Sequence, residues 1–99
     1  PVTARGAGTG NYGQAMPLAG GIVLHMRNMA RVLSVDPGRV VTEPGALLKE
    51  VDDAARPSGQ EIRMFSSTYA TATVGGFIAG GSGGDGSCTW GVLRDLGNI

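Results

Sequence analysis

The chain has 99 residues, and its 8 Lys+Arg balance 8 Asp+Glu to give a formal net charge of zero. This balance argues against an electrostatic nucleic-acid binder, which needs a basic surface to collect phosphates. With 41% hydrophobic and 16% charged residues the chain is too apolar to be intrinsically disordered, and its apolar runs are too short for a membrane span.

Glycine is the unusual residue, at 18 of the 99 positions, against a typical usage of about 7%. One set lies near the start, over residues 6–13, and a denser set lies over residues 75–91. Such clusters indicate backbone that passes close to a ligand or to another backbone. A single cysteine, Cys88, leaves the redox compartment open, and a cytoplasmic location is the working expectation. Because the chain begins at Pro1 without a signal-peptide pattern, we expect an excerpt of a larger protein.

The predicted elements begin with strands. A short strand over residues 2–5 runs into a glycine loop over residues 6–13, and an apolar, partly β-branched run predicts a second strand over residues 21–26. The sequence Asp36-Pro37-Gly38 is a strong turn signal between two β-branched runs. It predicts a β-hairpin over residues 32–43.

The clearest helix is predicted over residues 46–56, and Pro57 and Gly59 stop it. Its apolar residues share one face at helical spacing, and they are Leu47, Leu48, Val51, Ala54 and Ala55. Its charged residues, Asp52 among them, are expected on the opposite, solvated face. Residues 60–72 are polar and irregular, and a second short helix is predicted around residues 73–80. The glycines of residues 80–86 oppose regular structure, and residues 92–99 begin a further strand or helix.

A glycine loop that follows a strand indicates phosphate binding, because closely spaced backbone N–H groups form an anion-binding concavity. A Walker A loop is excluded, since the only lysine is Lys49, on the predicted helix. Gly8, Gly10 and Gly13 match the dinucleotide fingerprint Gly-x-Gly-x-x-Gly. However, no crossover helix fits between this loop and the next strand, so a Rossmann fold is disfavoured.

Residues 5–14, Arg-Gly-Ala-Gly-Thr-Gly-Asn-Tyr-Gly-Gln, resemble the pyrophosphate loop of FAD-linked oxidases of the vanillyl-alcohol oxidase and p-cresol methylhydroxylase type. This group includes glycolate oxidase subunits and D-lactate dehydrogenases. Further segments follow in the family's order: residues 20–24 resemble its next strand, residues 43–45 its turn before a helix, and residues 73–87 its second FAD-contacting segment. The resemblance covers nearly the whole chain.

The resemblance implies an α+β fold that forms part of a two-lobed FAD-binding domain, with a small mixed sheet and one or two helices. Residues 1–17 would end the first lobe, and residues 20–99 would form the first half of the second. The parent protein would oxidise a small 2-hydroxy acid or alcohol by hydride transfer to FAD. A separate electron acceptor would then reoxidise the flavin.

The implied FAD contacts lie in two groups. The first group is the loop Arg5, Gly6, Ala7, Gly8, Thr9, Gly10 and Asn11, and the second is Ser66, Ser67, Thr73, Gly75, Gly76, Ala79, Gly80, Gly81, Gly83 and Gly84. Thr9 stands where some members attach the flavin through a His, and residues 66–74 hold no Cys, so non-covalent FAD is implied. Arg5 either neutralises phosphate charge or pairs with an acid of the fold. No catalytic residue and no metal site is identified within the chain.

Two other interpretations stay open. In one, the chain is a structural fragment without activity, and its exposed sheet edges favour a homodimer. In the other, it is part of an NAD or nucleotide-sugar enzyme. A helix over residues 11–20 would favour the second of these, whereas a loop there followed by a strand over residues 21–26 favours FAD.

Overall fold

The computed structural model describes residues 1–81, 83–93 and 95, and it has the predicted α+β fold class. The strands are β1 (Val2–Arg5), β2 (Ile22–His25), β3 (Val32–Asp36) and β4 (Arg39–Thr42), and the helices are α1 (Leu48–Ala55), α2 (Val74–Ala79) and α3 (Ser87–Trp90). Single turns of 3-10 helix follow β2 and α1, at Met26–Asn28 and Arg56–Ser58. In the described residues, no helix has the length and apolar character that crossing a membrane requires.

The strands form two separate two-stranded sheets rather than one mixed sheet. β1 and β2 run parallel, with Val2 opposite Ile22, and they join residues on either side of the predicted lobe boundary. β3 and β4 form the predicted antiparallel hairpin, with a turn at Gly38. Gly38 has a φ of +74°, a left-handed conformation that costs glycine little. The hairpin prediction is therefore confirmed, and a 3-10 turn lies between β2 and β3 along the chain.

The helix predicted over residues 46–56 is present as α1. Its first N–H groups find acceptors outside the helix: Leu48 and Lys49 donate to the carbonyls of Ala72 and Tyr69, at 3.0 and 3.2 Å. The segment over residues 60–72 therefore covers the start of α1. The 3-10 turn that follows α1 ends at Gly59, which has a φ of +74°, as the stop signal predicted.

One expectation about α1 is wrong. Asp52 does not lie on a solvated face, since only 2% of the residue is exposed. The apolar periodicity identified one covered face of the helix, but the segment over residues 60–72 covers a second one. Asp52 faces that segment and receives hydrogen bonds from Ile62 and Tyr69.

The core lies between α1, the segment over residues 62–72 and α2. Its buried members are Leu48, Met64, Ala72, Phe77 and Leu93. The second predicted helix is present as α2, and the hydroxyl of Thr73 caps it by accepting a hydrogen bond from the Gly76 N–H at 3.2 Å. The four-residue helix α3 was not predicted, because the surrounding glycines favoured irregular structure. The predicted element over residues 92–99 lies largely outside the described residues.

Candidate functional site

A cleft of about 660 Å³ opens beside the first glycine loop. One wall is formed by residues 4–16, a second by residues 66–68, and a third by the cleft-facing side of α2 with residues 83–85. Its volume lies within the range of about 300–1,000 Å³ that small-molecule sites occupy. The cleft therefore brings together the two sequence regions that the glycine clusters marked.

All the implied FAD contacts line this cleft except Gly75 and Gly81. Gly75 lies against Pro44, where an added Cβ would come within 2.7 Å of the Pro44 Cβ. Its N–H also donates to the Pro44 carbonyl, at 2.9 Å. Gly81 follows α2 with a φ of +60°, and its N–H donates to the Ile78 carbonyl at 3.0 Å. These two glycines shape the chain behind the cleft, while the others form its surface.

The first glycine loop presents backbone donors to the cleft. Within the described part of the chain, none of the N–H groups of residues 6–11 donates a hydrogen bond to another residue. The Thr9 hydroxyl likewise has no partner among the described residues. A run of backbone donors left without protein acceptors at a cleft is suited to the oxygens of an anionic ligand.

Close packing between Gly6 and Thr73 sets the position of this loop. A Cβ added at Gly6 would overlap the hydroxyl oxygen of Thr73. Thr73 is itself buried, with 2% exposure, and its hydroxyl is held by the cap of α2. Glycine at position 6 therefore lets the loop pass directly over the start of α2.

The charge at the cleft comes from Arg5 and Asp85, which are its charged residues among those the structure describes. The Arg5 guanidinium lies over Gly8, where an added Cβ would be 2.7 Å from a guanidinium nitrogen. Arg5 forms no ion pair with an acidic residue in the described ranges. Arg5 was expected either to neutralise phosphate charge or to pair with an acid of the fold, and the second of these is not observed among the described residues.

The second wall is held by backbone pairing between the Ser/Thr-rich segment and the second glycine cluster. Phe65 and Asp85 exchange N–H to carbonyl hydrogen bonds of 3.2 and 2.9 Å. Gly84 lies so close to the Phe65 carbonyl that a Cβ there would overlap it. This pairing places the hydroxyl groups of Ser66 and Thr68, whose oxygens are 3.0 Å apart, beside the cleft.

The third wall is a face of small residues. Thr73, Gly76, Ala79 and Gly80 recur at helical spacing along α2 and line the cleft. Because three of these residues have no side chain beyond Cβ, a ligand can approach the helix backbone closely. The opposite side of α2 carries Phe77 toward the core, although part of Phe77 also borders the cleft.

Several lining residues were not among the predicted contacts. They are Ala4, Tyr12, Gly13, Gln14, Ala15, Met16, Thr68, Ala72, Phe77 and Asp85. Thr68 belongs to the same Ser/Thr run as Ser66, so the sequence pattern that indicated Ser66 as a contact also covered Thr68. Gln14 accepts a hydrogen bond from the Tyr12 N–H, at 3.3 Å, and so continues the first loop. Asp85 is brought in only by its pairing with Phe65, which local sequence does not reveal.

A buried carboxylate lies behind the second wall. Burial raises the pKa of Asp52, but hydrogen bonds from the Ile62 N–H, the Tyr69 hydroxyl and Arg56 outweigh burial and leave this pKa below its ordinary value. The pKa of Tyr69 is raised, chiefly by its hydrogen bond to Asp52. Asp52 therefore stays ionised at neutral pH and keeps its hydrogen bonds.

Residues 1–96 match the family model described as an FAD binding domain. The chain is 38% identical over 96 residues to a D-lactate dehydrogenase of Archaeoglobus fulgidus, covering 96% of this chain and 21% of that protein. It is 38% identical over 98 residues to a D-2-hydroxyglutarate dehydrogenase of Pseudomonas putida, covering 95% of this chain and 9% of that protein. A glycolate oxidase subunit GlcD of Bacillus subtilis is 31% identical over 97 residues, which cover 96% of this chain and 21% of that protein. The chain thus spans between 9% and 21% of the length of these relatives.

The fold has a close counterpart among solved structures. An alkyldihydroxyacetonephosphate synthase superimposes with a TM-score of 0.84 and 23% sequence identity, over 95% of this chain and 18% of that one. At this identity the likeness concerns the fold. Residues 11–20 form turns rather than a helix, and β2 follows them, which is the arrangement expected for FAD rather than for an NAD enzyme.

Proposed function

This chain belongs to the family of FAD-binding domains, and on that premise we propose that its cleft holds FAD in an enzyme that oxidises a small 2-hydroxy acid. The relatives named for D-lactate, D-2-hydroxyglutarate and glycolate support this substrate class. Because the chain spans a small share of these relatives, the substrate and the electron acceptor are proposed for the parent protein. The residues that contact the substrate are expected outside this chain.

The observation that carries the proposal is the set of backbone donors in the first glycine loop. The N–H groups of residues 6–11 have no acceptor in the described residues, and they border a cleft that also holds Arg5. A pyrophosphate carries negative charge and accepts several hydrogen bonds, so it matches these donors. The residues present therefore fit the group.

We assign the remaining contacts by chemistry. The hydroxyls of Ser66 and Ser67 offer hydrogen bonds to the polar parts of FAD, and the small residues of α2 allow its close approach. Gly75 and Gly81 act on the cofactor only through the backbone that they shape. When bound, FAD supplies the two-electron chemistry that converts a 2-hydroxy acid into a 2-oxo acid by hydride transfer. The chain's own contribution is to bind and orient the cofactor.

We propose that FAD is bound without a covalent link. Thr9 occupies the loop position at which a His would attach the flavin in the resembling family, and a threonine hydroxyl does not form that bond. Cys88, the chain's one cysteine, lies outside the cleft lining among the described residues. Acid denaturation of the parent protein is expected to release all of its flavin.

The test is to purify the full-length parent protein and record its visible spectrum. We expect a flavin spectrum, release of the yellow colour on acid denaturation, and bleaching under anaerobic conditions by at least one of D-lactate, glycolate and D-2-hydroxyglutarate. A protein that stays colourless after incubation with FAD would contradict the cofactor. Flavin that remains with the precipitate would contradict non-covalent binding, and bleaching only by simple alcohols would contradict the substrate class.

We also propose two features of the chain's organisation. One is the division into lobes at residues 17–20, although the β1–β2 pairing across it ties the two parts together. The other is a homodimer of the 99-residue chain, which the exposed apolar residues of β1 and β2 support. The lobes belong to the FAD-binding domain of the parent protein, whereas the homodimer concerns the 99-residue chain alone.

A further inference from the structure

Asp52 holds both ends of the segment over residues 62–69 against α1. One carboxylate oxygen accepts a hydrogen bond from the Ile62 N–H at 3.0 Å. The other accepts from the Tyr69 hydroxyl at 2.8 Å and from the Arg56 Nε at 2.8 Å. Because a buried carboxylate needs several donors, these contacts satisfy Asp52 as well as fixing the segment.

The segment between these two ends forms the second wall of the cleft. Ser66, Ser67 and Thr68 line the cleft, and the Tyr69 N–H donates to the Ser66 carbonyl at 3.0 Å to close the turn that presents them. On the side away from the cleft, the Tyr69 ring packs on Phe65 with centroids 5.0 Å apart. A shift at Tyr69 or Ile62 therefore reaches the cleft wall through at most a few peptide units.

Neighbouring residues on α1 do not share this role. Asp53 is exposed, and it forms an ion pair with Lys49, one turn away on the same helix, with side-chain exposures of 52% and 51%. The Asp52 side chain is 3% exposed, and its partner Arg56 is 60% exposed. The two adjacent aspartates thus provide a matched comparison between a buried carboxylate that faces the wall and an exposed one that does not.

We propose that Asp52 is a positioning residue for the cofactor cleft: its carboxylate holds residues 62–69 so that the hydroxyl-bearing wall at residues 66–68 keeps the spacing that FAD needs. This inference rests on the proposed function, because it takes FAD as the occupant of the cleft. It assigns to α1, which does not line the cleft, a direct part in shaping it.

The experiment compares Asp52→Asn and Tyr69→Phe with Asp53→Asn in the full-length protein. FAD affinity is measured by fluorescence titration of the apoprotein, and amide hydrogen exchange is followed for residues 62–69. Circular dichroism of the flavin at saturating FAD reports the asymmetry of its surroundings. We expect Asp52→Asn to raise the Kd for FAD about 10-fold or more, to speed exchange at residues 62–69 and to change the flavin circular dichroism. Tyr69→Phe is expected to raise the Kd about 3-fold, and Asp53→Asn to change none of these.

The flavin circular dichroism separates positioning from loss of stability, since at saturation every bound molecule is folded. Faster exchange in Asp52→Asn with wild-type Kd and flavin signal would overturn the proposal. If Asp52→Asn does not fold, Tyr69→Phe serves as the test, because it keeps the Asp52 carboxylate and its hydrogen bonds to Ile62 and Arg56. A Tyr69→Phe variant with unchanged Kd for FAD and unchanged exchange at residues 62–69 would then overturn the proposal. If the wild-type protein binds no FAD, the proposed function itself fails. If the wild type and Asp52→Asn bind FAD equally, only the positioning role of Asp52 fails.

Discussion

Gly6 shows how strongly one residue constrains the cleft. Its Cα passes against the hydroxyl of Thr73, a side chain that is buried and already engaged in capping α2. Thr73 is held by burial and by its cap, so a larger residue at position 6 would displace the loop or the cap. The requirement for glycine at position 6 is therefore steric, and it differs from the requirement at Gly38, which comes from a left-handed φ of +74°.

We predict that Gly6→Ala displaces the first loop and weakens FAD binding about 10-fold or more. The added methyl group overlaps the Thr73 hydroxyl, so either the loop or the helix cap has to shift. Gly38→Ala is the control. Its added methyl group enters open space away from the cleft, and the left-handed φ of this position makes the substitution cost about 1–2 kcal/mol of stability. The free energy of unfolding and the Kd for FAD are measured for both variants. Equal Kd values in the two variants would contradict the steric role of Gly6.

The lowered pKa of Asp52 predicts a dependence of stability on pH. The folded-state pKa lies below the unfolded value of about 3.9. The ionised carboxylate therefore stabilises the fold at neutral pH, and this contribution is lost as the pH falls through the folded pKa. We expect the difference in unfolding free energy between the wild type and Asp52→Asn to shrink as the pH is lowered from about 7 to below about 4. Denaturant titrations across this range measure it, and a constant difference would contradict the assignment.

Among the elements, α2 joins the two glycine clusters into one site. It begins directly after Thr73, the residue that Gly6 contacts, and its small-residue face lines the cleft. The linker before α1 also supports it, since the N–H groups of Val74 and Gly75 donate to the carbonyls of Ala46 and Pro44, at 2.8 and 2.9 Å. A six-residue helix has little stability of its own, so this packing and its cap maintain it.

We predict that Thr73→Ala lowers the free energy of unfolding by about 1 kcal/mol through loss of the cap. Thr73→Ser keeps the capping oxygen and is expected to retain most of that stability. Thr71→Ala is the comparison at an exposed threonine, whose hydroxyl makes only a 3.3 Å contact with the Thr68 carbonyl. Chemical denaturation of the three variants gives the result. A Thr73→Ser variant as unstable as Thr73→Ala would show that the methyl group, rather than the hydroxyl, matters.

At the scale of the whole molecule, the parallel β1–β2 pair is less covered than the hairpin β3–β4. Val2, Ile22 and Leu24 are 66%, 65% and 51% exposed, although parallel strands are usually covered on both faces. The hairpin β3–β4, by contrast, packs against α1. An apolar parallel pair with open edges is a surface that another chain can join.

We predict that the isolated 99-residue chain self-associates through this pair. Sedimentation equilibrium is expected to show a dimer, and Leu24→Lys is expected to shift the chain toward monomer by placing a charge on the exposed face. Leu33→Lys, at a residue 55% exposed on the hairpin, is the control and is expected to leave the dimer intact. A chain that sediments only as a monomer would remove the prediction.

Local signals were sufficient for most of the elements. The hairpin at Asp36-Pro37-Gly38, the helix stopped by Pro57 and Gly59, and the short helix after Thr73 all depend on residues within a few positions of one another. Turn geometry and helical spacing are short-range properties, so a single sequence carries them. The ordered glycine motifs likewise sufficed to indicate the family to which residues 1–96 belong.

Only the tertiary structure decided which surfaces are covered and which segments meet. Asp52 has the charge and spacing of a solvated residue, yet it is buried because a distant segment packs over it and supplies its donors. Gly75 was predicted with Gly76 to contact the cofactor, yet Pro44 occupies the space beside Gly75. Asp85 reaches the cleft through its pairing with Phe65. Burial and contact depend on how segments remote in sequence pack together, and local spacing along the chain does not contain that information.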